Sequence, residues 1–365
     1  DLHRRRHSFP TRRSSDLPKT YSHLFDEISD FKKLRRCFYK AAKSKFYRHS
    51  IVHFNLNLEE NIHSISKELR DETYQFGKYR CFYVHEPKKR LIESACFRDR
   101  VVHHSIHQTL EPIFDSQFYY YSYACRTGRG HHRAALLMKK WITLNPDKFF
   151  LKCDIRKFFP SIDREILLKI LSKTITDEKL IRCLRKLIFN APNTGIPIGN
   201  LTSQLFANIY LNELDQFVKR TLRVKKYIRY MDDFVLIADS YVEARNLRIE
   251  IEKFIEEKLS LVLSPQKVQI SICREGISFL GFFIKPNEMR LRGDFFRRMN
   301  KKLQKARYRA LLDSDDDKNN NAHRGMLHPY LMTLNSYLGH IKYCSNNNYL
   351  KKVILNVDLG LTKGL

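Results

Sequence analysis

The sequence predicts an α+β fold, helical at both ends and mixed in the middle. Two stretches of helical composition carry that prediction, residues 21 to about 70 and the chain after Asp294. Between them lie apolar runs of strand type, among them 149–155 and 234–237. The 365 residues, 43% hydrophobic and 12% aromatic, suffice for a packed core. No apolar stretch is long enough to span a bilayer, so no membrane partner is expected. Lys and Arg number 67 against 39 Asp and Glu, a net charge of +28. That surplus recurs along the whole chain instead of on one amphipathic face. It therefore favours a polyanion over a membrane surface.

Taken in order, residues 1–17 read as a translated sequencing-adapter oligonucleotide, expected to be disordered and foreign to the native protein. The codons TCT-TTC-CCT-ACA-CGA-CGC-TCT-TCC-GAT-CT yield residues 8–17, and the chain opens without Met. A targeting peptide or a nucleic-acid-binding arm is the alternative. Setting aside these five Arg and two Asp takes the net charge from +28 to +25, and the polyanion argument stands.

Residues 21–70 read as basic helices, with Lys32, Lys33, Arg35, Arg36, Lys40, Lys43, Lys45 and Arg48. Residues 79–84 predict a strand, 86–90 a turn, and 98–110 a helix. The strand at 149–155 ends in Asp154, and Pro160-Ser161-Ile162-Asp163 predicts the opening of a new helix. Residues 201–222 predict a long amphipathic helix, apolar at 205, 206, 209, 211, 214, 217 and 218. A helix over 244–259 and a single strand over 277–284 follow. The terminal helices are basic at Arg297, Arg298, Lys301, Lys302, Lys305, Arg307 and Arg309, with 313–321 as a mobile loop between them. Eight cysteines without a C-x-x-C pair read as reduced thiols. The pairs His103-His104 and His131-His132 have no Cys or acidic set at metal-site spacing, and are expected to be solvated or phosphate-facing.

The chemistry centres on Tyr230-Met231-Asp232-Asp233, two adjacent carboxylates between strand-type runs. The spacing predicts a tight hairpin that presents both aspartates in the open at its tip. Two readings fit the tetrapeptide: an ordinary turn, since Asp favours turns, and a site where a cation holds like charges together. Asp154 adds weight to the second, because a lone carboxylate at the end of a buried strand is costly unless paired or metal-bound. Three carboxylates brought together suit Mg²⁺. Two such ions, roughly 4 Å apart, activate a 3′-hydroxyl and stabilise a leaving pyrophosphate, which is nucleotidyl transfer.

Further segments complete a recognisable order: Pro87-Lys88-Lys89-Arg90-Leu91-Ile92, Arg98-Asp99-Arg100, Tyr123-Ala124-Cys125-Arg126-Thr127-Gly128-Arg129-Gly130 and Asp154-Ile155-Arg156-Lys157-Phe158-Phe159. Gly195-Ile196-Pro197, the Tyr-Met-Asp-Asp box, Ser264-Pro265-Gln266-Lys267 and Phe279-Leu280-Gly281 follow. With these the chain resembles reverse transcriptases of the bacterial retron and group II intron type, from residue 21 to the C-terminus.

The resemblance implies a right-hand polymerase fold: N-terminal helices and fingers over 18–148, a palm with an antiparallel sheet and part of the fingers over 149–290, and a helical thumb over 291–365. It implies an RNA-directed DNA polymerase with Asp154, Asp232 and Asp233 catalytic. These three, with the carbonyl of Ile155, would bind two Mg²⁺, for which Mn²⁺ substitutes. Lys88 and Arg90 would meet the triphosphate of the incoming deoxynucleotide, a solvated basic turn being the alternative. Phe159 would exclude a 2′-hydroxyl, with core packing as its rival, and Ile198, Gly199 and Lys267 would lie near the nucleotide. Arg98, Arg126, Arg129, Lys301 and Lys302 would contact nucleic acid.

The segment Pro197-Ile198-Gly199-Asn200-Leu201-Thr202-Ser203-Gln204 narrows the resemblance. Most members carry Gln after the proline and Ser-Pro at the end. Ile198 and Gln204 resemble the reverse transcriptases of diversity-generating retroelements, which implies error-prone copying, biased to template adenines. Replacing a polar contact at the nascent pair by an apolar one is worth about 1–3 kcal/mol of selectivity. The implied partners are template RNA, cDNA and dNTPs together with a small basic accessory protein, in the cytoplasm of a bacterial or phage-infected cell. A retron or phage-defence reverse transcriptase is the alternative enzyme. A nucleic-acid-binding protein that keeps the fold without catalysis is the alternative of another class.

Overall fold

The computed structural model describes residues 20–85, 89–315 and 320–348, with side chains for all of these except 307 and 309–329. Residues 1–17, Lys88 and the end of the expected thumb lie outside the described residues. The chain forms two units: the part up to Phe118 with Lys157–Tyr210, and Tyr119–Arg156 with the part from Leu211.

The first unit opens with the predicted helices, α1 (Leu24–Ser29), α2 (Phe31–Ala42), α3 (His49–Leu56) and α4 (Leu58–Arg70). Asp30 starts α2 by accepting the Lys33 amide at 2.7 Å. Leu34, Cys37, Phe38 and Ala41 then recur at helical spacing and are buried. One of these basic residues goes inside: the Lys33 ammonium is enclosed between Glu27 and Thr109. β1 (Arg80–Val84) and β2 (Arg90–Ser94) pair antiparallel, from Arg80 opposite Ser94 to Val84 opposite Arg90. α5 (Phe97–Asp115) extends the predicted helix at both ends.

The chain then enters the second unit with α6 (His131–Leu144) and β3 (Phe149–Asp154), and returns to the first with α7 (Phe158–Ser161), α8 (Arg164–Ser172) and α9 (Glu178–Phe189). The expected helix start at Pro160 needs correction. Pro160 lies within the single turn of α7, and Ile162 is extended at ψ 122. Asp163 begins α8, its carboxylate accepting the Ile166 amide at 2.9 Å. A side-chain cap is the stronger start signal, since it satisfies an orphan amide. Gly195, at φ +72, allows a close approach within this unit: a Cβ there would stand 2.1 Å from the Phe159 carbonyl oxygen. That same oxygen accepts the Ile196 amide at 3.0 Å. Only glycine fits.

α10 (Leu201–Gln216) begins in the first unit and ends in the second, closing with a π-helical turn over Phe217–Thr221. The second unit continues with β4 (Lys226–Tyr230), β5 (Asp233–Ala238), α11 (Tyr241–Leu259) and β6 (Gln269–Ile272). These strands and β3 form one antiparallel sheet in the order β4-β5-β3-β6. The expected single strand at 277–284 is instead two, β7 (Ile277–Phe279) and β8 (Phe282–Lys285). Leu280 and Gly281 both take positive φ, 49 and 88, the backbone a tight two-residue hairpin turn requires. β9 (Glu288–Leu291) completes this three-stranded sheet.

α12 (Gly293–Asp315) and α13 (Asn320–Ile341) follow. The polar run expected as a loop over 313–321 is thus helical at both edges, and 316–319 lie outside the described residues. Asp and Asn are at home at helix ends as well as in loops. The core of this unit gathers Phe150, Ile228 and Val235 from the four-stranded sheet and Met138 and Trp141 from α6. Phe279 and Phe282 join from the smaller sheet, with Met299 and Leu334 from the last helices. Each such side chain contributes about 1.5–3 kcal/mol by burial.

Candidate active site

At one end of the four-stranded sheet, β4 and β5 join through Met231 and Asp232, with Met231 left-handed at φ 56. Tyr230 pairs Asp233 across this hairpin, and on its other side Asp233 stands directly opposite Asp154 of β3. Directly opposed residues hold their Cβ atoms about 4.5–5.5 Å apart. The Ile155 amide donates to the Asp232 carbonyl at 3.2 Å, so the third aspartate is tied to the same strand end. Ile155 itself is buried and bridges to Leu263. The convergence of Asp154 with the Tyr-Met-Asp-Asp box is as the sequence predicts.

Their exposure is not. The aspartates were expected in the open at the hairpin tip, but the two-residue turn leaves Asp233 inside the ladder, flanked by β3. Its side chain is 21% exposed and that of Asp154 14%. Asp233 Oδ1 is enclosed without a hydrogen-bond partner. Burial pushes the Asp233 carboxyl up to about 7. Asp154 and Asp232 add to that rise, and Lys152 and Lys267 oppose it. Lys152 Nζ lies 3.6 Å from Asp233 Oδ2 and donates to the Ser278 carbonyl at 2.7 Å. Lys267, half exposed, pairs with Asp154 Oδ1. Lys152 was not singled out from the sequence, although strand alternation carries the signal: two residues before Asp154, it shares that face.

A second group escaped sequence reasoning. Arg229 and Asp215 are both wholly buried, and the guanidinium grips the carboxylate by two bonds of 2.7 and 2.5 Å. The Tyr227 hydroxyl donates to the same carboxylate at 2.8 Å, and Arg229 Nη1 donates to the Met231 carbonyl at 3.3 Å. The pair thus braces the backbone of the hairpin that carries Asp232 and Asp233.

The expected nucleic-acid contacts divide. Arg98 is committed within the first unit, bonded to Glu68 at 2.6 Å and stacked over Tyr74. Arg126 donates to the carbonyls of Tyr119 and Ser122, which makes it a lock on its own loop. Arg129 stacks 4.1 Å from the Tyr120 ring, and Lys301 and Lys302 are exposed on α12.

In the first unit, Arg90 is exposed at the start of β2. The Glu93 amide donates to the Ile198 carbonyl at 3.0 Å and the Ala95 amide to Asn200 Oδ1 at 3.2 Å, so the segment from Ile198 is laced to β2. Gly199, at φ +118, sits against Ile92. Gln204 is exposed and lines a cavity of about 370 Å³ with Arg100, His104 and Gly199. Phe158 is buried, whereas Phe159 is half-exposed against its edge, so core packing falls to the former.

The histidine expectation is overturned at His103. α5 turns it inward beside Val101, Val102 and Ser105, where it meets Thr202 at 2.7 Å and burial lowers it to about 3. His104 is half-buried, and burial takes it down to about 4. All eight cysteines are free thiols.

Protein YkfC of Escherichia coli K12 is 28% identical over 263 residues, covering 58% of this chain and 69% of its own. The group II intron-encoded protein LtrA of Lactococcus lactis subsp. cremoris is 24% identical over 301 residues, 62% of this chain and 50% of its own. The chain therefore spans about half the length of LtrA. Among solved structures, telomerase from Candida albicans matches with a TM-score of 0.45 and 11% identity, covering 79% of this chain and 60% of that one. The family profile described as reverse transcriptase (RNA-dependent DNA polymerase) matches residues 84–284, which take in all three aspartates. By that match over more than half its length, the chain belongs to the reverse transcriptase family.

Proposed function

We propose that the chain is an RNA-directed DNA polymerase whose reaction is centred on Asp154, Asp232 and Asp233. The observation that carries this reading is the convergence of three carboxylates at one end of the four-stranded sheet, one of them with an enclosed, unpartnered oxygen. Such a donor set fits a hard divalent cation: the oxygens are anionic, crowded and only partly offset by two lysines. Two Mg²⁺ or Mn²⁺ held by these carboxylates and the Ile155 carbonyl would supply Lewis-acid activation of a primer hydroxyl and neutralise the departing pyrophosphate.

The chain's own residues do the rest. Arg229 fixes the Met231 carbonyl and with it the turn that aims Asp232. Lys152 offsets the Asp233 charge from the same strand face as Asp154. Lys267, 47% exposed, is able to exchange Asp154 for a triphosphate oxygen. Arg90 and Lys88 are assigned to the triphosphate and Phe159 to sugar selection, by family resemblance and residue type. Residues 18–148, 149–290 and 291–365 would then serve as fingers, palm with part of the fingers, and thumb. Arg129, Lys301 and Lys302 are assigned to template RNA and cDNA by family resemblance.

Within this activity we place the chain with the polymerases of diversity-generating retroelements, copying a template RNA with frequent errors at adenines. A small basic accessory protein and a bacterial or phage-infected cytoplasm belong to the same proposal. Ile198 and Gln204 support it. Restoring a polar group by Ile198→Gln is expected to lower misincorporation opposite template adenine roughly ten- to a hundred-fold, read by sequencing cDNA made on a defined RNA. An unchanged error spectrum would favour the second reading, an ordinary reverse transcriptase of intron or retron type, which the name of the relative LtrA supports.

A further inference from the structure

Apart from the carboxylates, the second unit brings three histidines together. His131 and His132 open α6, and His340 lies in the last turn of α13. One nitrogen from each lies within 4.8 Å of the other two, and His132 Nε2 is 3.3 Å from His340 Nδ1. The ring centres are 3.9 Å apart between His131 and His132, and 4.9 Å from either to His340. Tyr343 stacks on His132, and Phe282 and Phe295 stand against His340. All three imidazoles are half-buried, and His131 Nε2 is enclosed with no hydrogen-bond partner.

An enclosed nitrogen left unpaired is destabilising unless something completes it. Burial first, and then the neighbouring imidazoles for His132 and His340, hold these rings below the ordinary histidine range, His132 at about 4. The electrostatic neighbours of His132 and His340 are the other histidines. Neutral imidazole is the ligand form that metals require.

We propose that His131, His132 and His340 form a transition-metal site, with zinc as the preferred occupant. Imidazole nitrogen suits zinc and not magnesium, so the site is chemically distinct from the oxygen centre at Asp154. Tetrahedral zinc with bonds of about 2.0–2.1 Å sets neighbouring nitrogens roughly 3.3 Å apart. The His132–His340 separation already has that value. A small ring adjustment at His131 brings in the third nitrogen and gives its unpartnered atom a bond. The fourth position is left to water or another exchangeable ligand. A helix start mildly disfavours a cation, which is a small effect beside three metal–nitrogen bonds. The ion would staple the first turn of α6 to the last turn of α13, elements more than two hundred residues apart in sequence, and so hold α13 in place.

The test uses the full chain stripped with a chelator. Zn²⁺ at one equivalent is expected to raise the melting temperature by several degrees, and Co²⁺ in its place to give visible ligand-field bands of a nitrogen site. Both effects should survive Asp232→Asn and disappear in His340→Ala. Should His340→Ala fail to fold, the Co²⁺ spectrum of the unaltered chain decides alone. Absence of those bands, or an equal zinc shift in a folded His340→Ala, overturns the proposal and leaves a hydrogen-bonded histidine stack.

Discussion

Asp215→Ala is expected to lower the stability of the chain by about 3–5 kcal/mol, a large part of what a domain of ordinary stability possesses. Asp215 and Arg229 are both wholly buried, and the guanidinium has no neutral form to retreat to. Burial opposes its charge, and Asp215 outweighs burial to raise its pKa. Removing the carboxylate strands that charge and deprives the Tyr227 hydroxyl of its acceptor. Pairing Asp215→Leu with Arg229→Met should recover much of the loss, because an apolar pair of similar volume avoids desolvating two ions. The double variant still lacks the bond to the Met231 carbonyl, so polymerisation should remain impaired while stability returns. Urea unfolding midpoints together with primer extension separate the two effects. A loss below about 1 kcal/mol in Asp215→Ala would remove the pair from the account of the fold.

Asp233→Asn should have opposite effects on activity and stability. The carboxyl titrates at about 7 in the fold, chiefly because of burial, against about 3.9 in an unfolded chain. The folded state thus holds a proton that the unfolded state has released. Stability of the metal-free chain falls as pH rises from about 4 to about 7, by about 4 kcal/mol at most, and levels off above. Asn carries no such charge, so the metal-free variant should be the more stable protein at pH 8 and should lose that slope. Mg²⁺ should stabilise the parent and leave the variant nearly unaffected. Activity should drop roughly a thousand-fold or more, since one of the carboxylates that would hold the cations is gone. Equal melting curves for parent and variant from pH 5 to pH 8 without metal would contradict the buried-carboxylate picture.

Legibility in the sequence tracked distance along the chain. β3, the Asp232-Asp233 hairpin and α10 were readable because apolar periodicity and turn chemistry are local signals. The register that sets Asp154 opposite Asp233 was readable only as a juxtaposition, and its consequence, a half-buried carboxylate, was not. Lys152 was within reach through alternation along β3. The Asp215–Arg229 brace was not, because an Asp in a helix and an Arg in a strand are individually unremarkable until the fold buries both. His340 joins His131 and His132 by the same kind of long-range closure, which no spacing rule anticipates. Leu280-Gly281 failed for the converse reason: a continuous apolar run hid a two-residue turn.

The most direct measurement is extension of a DNA primer on an RNA template by the purified chain, with and without Mg²⁺, beside Asp232→Asn. The expected result is metal-dependent DNA synthesis by the parent and a loss of at least roughly a thousand-fold in a variant that folds normally. Full activity in Asp232→Asn would contradict a polymerase centre built on these aspartates.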